Sequence, residues 1–478
     1  MNRFFPILAT AVLSFAAGLG LQAWLRSADA SLSVQPRIPR PETQGDDVES
    51  GEEALSISDT FHQTLSEHDP TPTATQWPQF RGPDANNIRR DTPALVDDFS
   101  DIESRVRWRL ELGEGHAGAA VRDGRVYILD YDEERRADTL RCFDFRDGSE
   151  LWRTGYPVSM KRNHGYSRTV PTVTKDIVVT IGPRCHVLAC DSKTGRPLWM
   201  RDLAAEFATD EPLWYTAQCP LVDGDTVVLA PAGEAVLMAG VSLRTGETTW
   251  TVPNSRGWKM SHSSVIIATL HDTRQYIYAA VGGVVAVSAE PDSEGDVLWS
   301  TGAWNHRVVA PCPVPLDSNR LFLTSGHGAG GMILRLERSG NQWTAHEDQR
   351  FAPDELASEQ QTPILRDNRM FTVLPKDGGA HRTELVSATT DGQIDWTSGD
   401  QHRFGLGPYV LADTKIFIIN DNGHISVYDT AQPEKPEFQD SAKILSGPEA
   451  WGPIALVDGY LIARDNRRMV CIDLRKNP

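Results

Sequence analysis

Tryptophan recurs in this chain at a fixed place in a repeated pattern, and that recurrence limits the fold more than any other feature. Trp108, Trp152, Trp199, Trp250, Trp299, Trp343 and Trp396 follow one another at intervals of 44 to 53 residues. Periods of this size belong to propellers and other arrays of one supersecondary unit. A glycine lies four residues before most of these tryptophans (Gly148, Gly195, Gly246, Gly295, Gly392), and Gly340 lies three before Trp343. Glycine supplies the positive φ of a tight turn, which places each tryptophan on the strand after the turn.

The same grammar repeats upstream. Apolar strands such as Ile177-Val-Val-Thr-Ile181, Arg320-Leu-Phe-Leu323 and Ile416-Phe-Ile-Ile419 follow short polar turns, and a further strand such as His186-Val-Leu-Ala189 comes next. Pro171, Pro220, Pro311, Pro363, Pro408 and Pro453 open the units, with Ala120 and Ser264 at the equivalent places. Eight openings, each with room for four strands, predict an all-β, eight-bladed β-propeller of four-stranded blades. Phe438 stands where an eighth tryptophan is due. The chain ends too early to give the last blade an outer strand, while Arg105-Val-Arg-Trp-Arg-Leu110 has no inner strands before it. The N-terminal strand is therefore expected to close the last blade. On outer strands the seven tryptophans are read as structural, blade-docking residues. Each buries roughly 150–250 Å² against the next blade, which at about 25 cal/mol per Å² stabilises a junction by several kcal/mol before entropy.

Two segments precede this array. Phe4 to Leu25 is a nearly unbroken apolar run flanked by Arg3 and Arg26. Its length predicts one N-terminal transmembrane helix, and the Ala28-Asp29-Ala30 pattern leaves a cleaved signal as the alternative; either way the rest is exported. Residues 1–30 are thus read as signal or anchor. Residues 31–75, rich in Pro and acidic groups with few aliphatics, are read as a flexible tether, and 76–478 as the propeller. The formal net charge of −18 argues against a nucleic-acid partner.

The repeats resemble a known family. Ala189-Cys-Asp-Ser-Lys-Thr-Gly-Arg-Pro-Leu-Trp199 is similar to the A-x-D-x-x-T-G-x-x-x-W repeat of pyrroloquinoline-quinone-type (PQQ-like) propellers. Cys142 to Trp152 and Val241 to Trp250 are further copies, and Trp77-Pro-Gln-Phe-Arg-Gly-Pro-Asp84 looks like the lead-in of exported bacterial propellers of this type. The resemblance implies the fold over roughly Trp77 to Leu474. It also implies either a quinoprotein dehydrogenase or a non-catalytic scaffold such as the propeller subunit of the outer-membrane β-barrel assembly machinery. The quinone enzymes of the family carry a vicinal Cys-Cys disulfide and calcium ligands. Here Cys142, Cys185, Cys190, Cys219, Cys312 and Cys471 include no adjacent pair and no haem-type C-x-x-C-H. No cofactor is expected, neither PQQ nor calcium, and no metal. Cys185 and Cys190 are spaced to allow a bridge in an oxidising compartment.

Other motifs read as structure. Gly326-His-Gly-Ala-Gly-Gly331 lacks the ending of a phosphate loop, and Asn420-Asp-Asn-Gly423 is a hairpin turn. Asp130, Asp132 and Glu133 read as an exposed acidic loop. Residues just before the innermost strands line the mouth of a propeller channel, and here they are large and polar or aromatic. His116, Tyr166, Arg168, Tyr215, Gln218 and Lys259 come from the first half. His262, His306, Arg307, Gln361, Phe404 and Trp451 come from the rest. Together they form the candidate ligand-binding funnel; no catalytic residue is assigned. The leading expectation is a non-enzymatic, monomeric, membrane-tethered propeller of the cell envelope, facing the periplasm, that binds an envelope protein or extended peptide by its rim or a blade edge. The alternatives are a PQQ-dependent dehydrogenase with a degenerate site and a small-molecule or glycan-binding module using the funnel.

Overall fold

The computed structural model describes residues 54–476. The apolar segment expected to span the membrane lies outside the described residues, as does most of the proposed tether.

Eight antiparallel sheets follow one another along the chain, each running from an inner to an outer strand. Blade 1 runs from Ala120–Arg122 to Glu150–Pro157, blade 2 from Thr172–Val173 to Pro197–Asp202, and blade 3 from Leu221–Asp223 to Thr248–Pro253. Blade 4 runs from Ile266–Leu270 to Val297–Thr301 and blade 5 from Val314–Pro315 to Gln342–Phe351. Blade 6 runs from Ile364–Arg366 to Ile394–Thr397 and blade 7 from Tyr409–Ala412 to Glu437–Lys443. Blade 8 takes Ala455–Val457, Tyr460–Arg464 and Arg468–Asp473 from the C-terminal end, and its outer strand is Val106–Glu111. Arg109 faces Val470 and Trp108 faces Cys471 in that pairing. The ring is therefore closed by the early strand, as expected. The second strand of each blade is an apolar run because neighbouring blades cover both its faces: Ile177–Ile181 is buried at every position.

The tryptophans occupy one register slot. In the pairing of the third and outer strands, Cys142 faces Trp152, Ala189 faces Trp199, Gly240 faces Trp250, Ala286 faces Trp299 and Ser387 faces Trp396. A small residue thus lies opposite each indole, and the register shifts by one immediately beyond it. The indole then reaches the next blade. Trp108 Nε1 donates to Phe145 O at 2.9 Å, and Trp199 Nε1 donates to Leu243 O at 2.8 Å. The turn glycines are where the rings land. Gly195 has φ +75°, and a Cβ added there would lie 2.3 Å from Trp152 Cε3. Gly148, Gly246 and Gly295 meet Trp108, Trp199 and Trp250 in the same way.

Blade 5 departs from this rule. Its slot, opposite Ile333 and just before the register shift, is filled by Gln349. Trp343 lies six residues earlier on a lengthened hairpin, opposite Arg338, whose guanidinium covers its ring at 5.1 Å. Trp343 is thus not a wedge onto blade 6. Phe351 serves that purpose, against Gly392. Blade 7 departs too: its slot, opposite Val427 and just before the register shift, holds Asp440, while Phe438, expected there, lies two residues earlier, faces Tyr428 beyond the shift and is 41% exposed.

The segment read as a tether does not stay free over its described part. Phe61–Thr64 pairs antiparallel with the outer strand of blade 1 and makes it five-stranded. Farther on, the chain crosses the face formed by the inner hairpin turns and visits the blades in order. Ala74 and Thr75 N–H groups donate to Asp458 of blade 8, Trp77 exchanges backbone bonds with Val121 of blade 1, and Pro78 O accepts from Val173 N of blade 2. Arg81 Nη2 donates to Pro363 O ahead of blade 6. Ile88–Arg89 adds a parallel fifth strand to blade 7, and Val96 N–H donates to Leu474 O of blade 8. Main-chain pairing needs few aliphatic residues, so a polar composition did not prevent docking. Cys185 and Cys190, with the other four cysteines, are buried and free, so the bridge their spacing allows is not formed.

Candidate functional site

The loops before the inner strands form the other face of the ring, and here the predicted funnel residues meet. A circuit of contacts passes through every blade. Gln361, ahead of blade 6, donates through Nε2 to Leu406 O at 3.1 Å and Trp451 O at 3.4 Å, reaching blades 7 and 8. Trp451 stacks on His116 with ring centroids 4.7 Å apart. His116 Nε2 lies 3.1 Å from His164 O, and because a carbonyl can only accept, Nε2 carries the hydrogen. Arg168 donates to the His164, Asn163 and Trp214 carbonyls. Trp214 stacks on His262 at 6.0 Å and lies 5.6 Å from His327, a residue of blade 5.

The electrostatics follow from burial and from Arg168. Burial lowers the His116 pKa to about 3, with Arg168 and Arg464 adding to the shift. Burial followed by Arg168 lowers that of His262 to about 4. Both rings are therefore neutral at pH 7. His116 Nδ1, His262 Nδ1 and His306 Nε2 are buried and have no partner, so the face holds uncommitted hydrogen-bonding nitrogens. Arg168 is lowered to about 10, chiefly by burial, and stays charged.

The remaining predicted residues divide between rim and frame. Tyr166 stacks on Tyr131 at 4.2 Å, Tyr215 donates its hydroxyl to Lys161 O at 2.5 Å, and His306 meets Trp304 edge-on at 4.3 Å. Lys259 pairs with Asp210 at 2.5 Å, and Arg307 is exposed. Gln218 and Phe404 are buried. Gln218 ties both ends of its amide to the Ala230 backbone, and Phe404 belongs to the core around Tyr409.

Several residues of this face were not predicted. Trp214 is adjacent to Tyr215 and was within reach of the same positional argument. Glu114 is buried and pairs with Arg162 at 2.6 Å and Arg467 at 3.3 Å. Asp138 is buried, accepts from Tyr156 and Ser167 hydroxyls at 2.7 and 2.9 Å, and has its carboxyl pushed up to about 7 by burial. No local motif marks either acid. Asp130, expected in an exposed loop, is 4% exposed and pairs with Arg141 at 2.9 Å. Asp132 pairs with Arg135 and Glu133 with Arg467, so arginines neutralise the whole acidic cluster.

The donor set does not fit a quinone held with calcium. No two cysteines are adjacent, and among the described residues no group of three or more His, Cys, Asp or Glu side chains is placed to hold a metal ion.

Comparison with known proteins follows this geometry. The family model described as outer membrane protein assembly factor BamB matches residues 100–227 and 136–378. Among solved structures, a europium-containing methanol dehydrogenase superposes with a TM-score of 0.58 at 11% identity, covering 81% of this chain and 89% of that one. Quinohemoprotein alcohol dehydrogenase from Comamonas testosteroni gives 0.57 at 11% identity over 85% and 82%. BamB from Moraxella catarrhalis gives 0.49 at 13% identity over 77% and 99%. At these identities the likeness to the two dehydrogenases shows the fold alone. No curated protein matches the chain significantly.

Proposed function

The chain belongs to the family described as outer membrane protein assembly factor BamB, and from that premise we propose that it is a protein-binding scaffold of the cell envelope, not an enzyme. It takes an extended segment of its partner on an outer blade edge. One observation carries this reading: the chain already adds Phe61–Thr64, in antiparallel register, to the outer strand of blade 1. The blade geometry therefore accepts strand addition, in which main-chain hydrogen bonds supply affinity and alternate side chains supply selectivity. The edge best suited to a partner is Gln342–Phe351 of blade 5. It is ten residues long, largely exposed, and its outer side pairs with no strand among the described residues. Anchoring to the inner membrane through the N-terminal apolar segment belongs to the same proposal.

A second reading, a small polar ligand or glycan in the funnel, is favoured by the unpartnered nitrogens of His116, His262 and His306. The absence of adjacent cysteines supports a chain that carries no quinone.

Photoreactive residues at Glu347 and Gln349 test the scaffold, with Lys259 and Arg307 on the rim as the contrast. In intact envelopes the edge positions are expected to yield one recurring protein adduct and the rim positions none. Protein adducts only from the rim would move the partner from the blade edge to the rim, and no protein adduct from either site overturns the scaffold. Added PQQ and calcium are expected to leave no bound chromophore after gel filtration. A stoichiometric complex that reduces dye with an alcohol or sugar would restore the dehydrogenase.

A further inference from the structure

The strand that the chain adds to blade 1 is lightly held. From Ala54 to Asp69 no residue is buried, and the first that is buried is Pro70. His62, Gln63 and Thr64 are exposed, and Phe61 is partly buried. The strand pairs with Trp152 to Gly155, four of the eight residues of Glu150–Pro157. No core side chain belongs to this segment, and elements with few buried contacts open at low cost.

The edge offers its occupant more than main-chain pairing. Phe61 faces Gly155, and a Cβ added at Gly155 would lie 2.9 Å from Phe61 Cζ and 2.9 Å from Thr139 Oγ1. The missing side chain leaves a notch in the outer strand, and the Phe61 ring lies against it. Arg135, from the turn between the second and third strands of the blade, places its guanidinium 5.5 Å from the centre of that ring. Asp132 holds the same guanidinium at 2.9 Å, so the cation over the ring is fixed. The next position is polar. His62 Nδ1 lies 2.8 Å from Thr154 Oγ1, whose own hydrogen goes to Gly195 O, so the imidazole donates. An aromatic residue followed by a hydrogen-bond donor, in extended conformation, is the chemistry that this edge reads.

We propose that the outer edge of blade 1 is a binding site for an extended peptide segment with an aromatic residue over Gly155. The chain fills the site in cis with Phe61–Thr64, and a partner segment of the same chemistry enters by exchange. This rests on strand addition as the mode of partner binding, but not on the edge of blade 5. A tethered occupant competes at an effective concentration of about millimolar, which keeps the edge filled until a segment of higher affinity arrives.

A fluorescent peptide of residues 58–66, added to the full chain, tests this. Gln63→Pro removes an N–H from the cis strand and fixes its φ, which undocks the strand without altering the blade. The peptide should bind Gln63→Pro at least about tenfold more tightly than the wild-type chain. Replacing the phenylalanine of the peptide by alanine, or adding Arg135→Ala to the protein, should weaken that binding about five- to tenfold. No binding to Gln63→Pro at millimolar peptide, or equal binding of the alanine peptide, overturns the proposal. Deletion of residues 54–66 opens the edge by a second route, and the same outcomes decide there. Peptide capture with failed cross-linking from Glu347 and Gln349 removes the blade 5 edge and leaves this site standing; cross-linking there without peptide capture does the reverse.

Discussion

Blades 1 to 3 and blade 5 use the same four-strand unit but place the aromatic of the outer strand differently. In blades 1, 2 and 3 the slot indole covers the turn glycine of the next blade, as Trp152 covers Gly195. The indole is thereby spent on closing the ring, while the outer edge of blade 1 still pairs with Phe61–Thr64. In blade 5 the slot holds Gln349, the aromatic that covers the next blade has moved to Phe351, and the hairpin runs on to Trp343 at its exposed end. Gly340, the turn glycine of that hairpin, has no neighbour within 4 Å of an added Cβ. The difference teaches that the wedge belongs to a register position and not to a residue type. Where the wedge shifts in blade 5, the outer strand lengthens to ten residues.

The largest expected effect tests whether the wedge holds the ring. Trp152→Ala should cost about 3–5 kcal/mol by cavity formation, whereas Trp343→Ala should cost less than about 1 kcal/mol; urea unfolding of both variants reads the contrast. Equal losses would erase the distinction between the two regions.

Acid sharpens the comparison on the loop face that binds the blades together. His116 and His262, lowered to about 3 and 4 by burial, titrate near 6.5 when unfolded. Their contribution is complete above pH 6.5 and declines as pH falls, because the unfolded chain takes up protons that the folded one refuses. Between pH 6 and 4.5 the slope should approach two protons, or about 2.7 kcal/mol per pH unit. Replacing both histidines with asparagine should flatten a stability–pH curve measured by urea titration, and an unchanged slope would mean that the rings are not held neutral.

A smaller effect separates two glycines. Gly195→Ala meets both a positive φ and the Trp152 ring, and should cost more than about 2 kcal/mol. Gly340→Ala meets only the φ of +60° and should cost about 1 kcal/mol. Thermal melts of the pair should preserve that order. The smallest effect is at the end of the hairpin, where exposed His346 and Glu337 pair at 3.6 Å; Glu337→Gln should change stability by less than about 0.5 kcal/mol.

The ring was legible in the sequence because a turn glycine and a large aromatic four residues apart fix one register. Closure by Val106–Glu111 followed from an orphan strand at one end and a missing strand at the other. Trp343 was misplaced by counting tryptophans, and its three-residue offset from Gly340 was the sign that it stood on a different turn. Residues 54–75 read as a tether because few are apolar, but strand addition at Phe61–Thr64 draws on main-chain groups that composition does not report. The loop face was legible by position: Gln361 bonds to Trp451, Trp451 stacks on His116, and His116 and Arg168 share the His164 carbonyl. The buried acids Glu114 and Asp138 owe their surroundings to partners 18 to 353 residues away, which no local pattern encodes.

Hydrogen exchange read strand by strand tests the closed ring most directly. The account predicts that amides of Val106–Glu111 exchange together with those of Arg468–Asp473, as slowly as the third and outer strands of blade 2. Exchange of Val106–Glu111 as fast as the exposed end of the Gln342–Phe351 hairpin, with Arg468–Asp473 still protected, would contradict it.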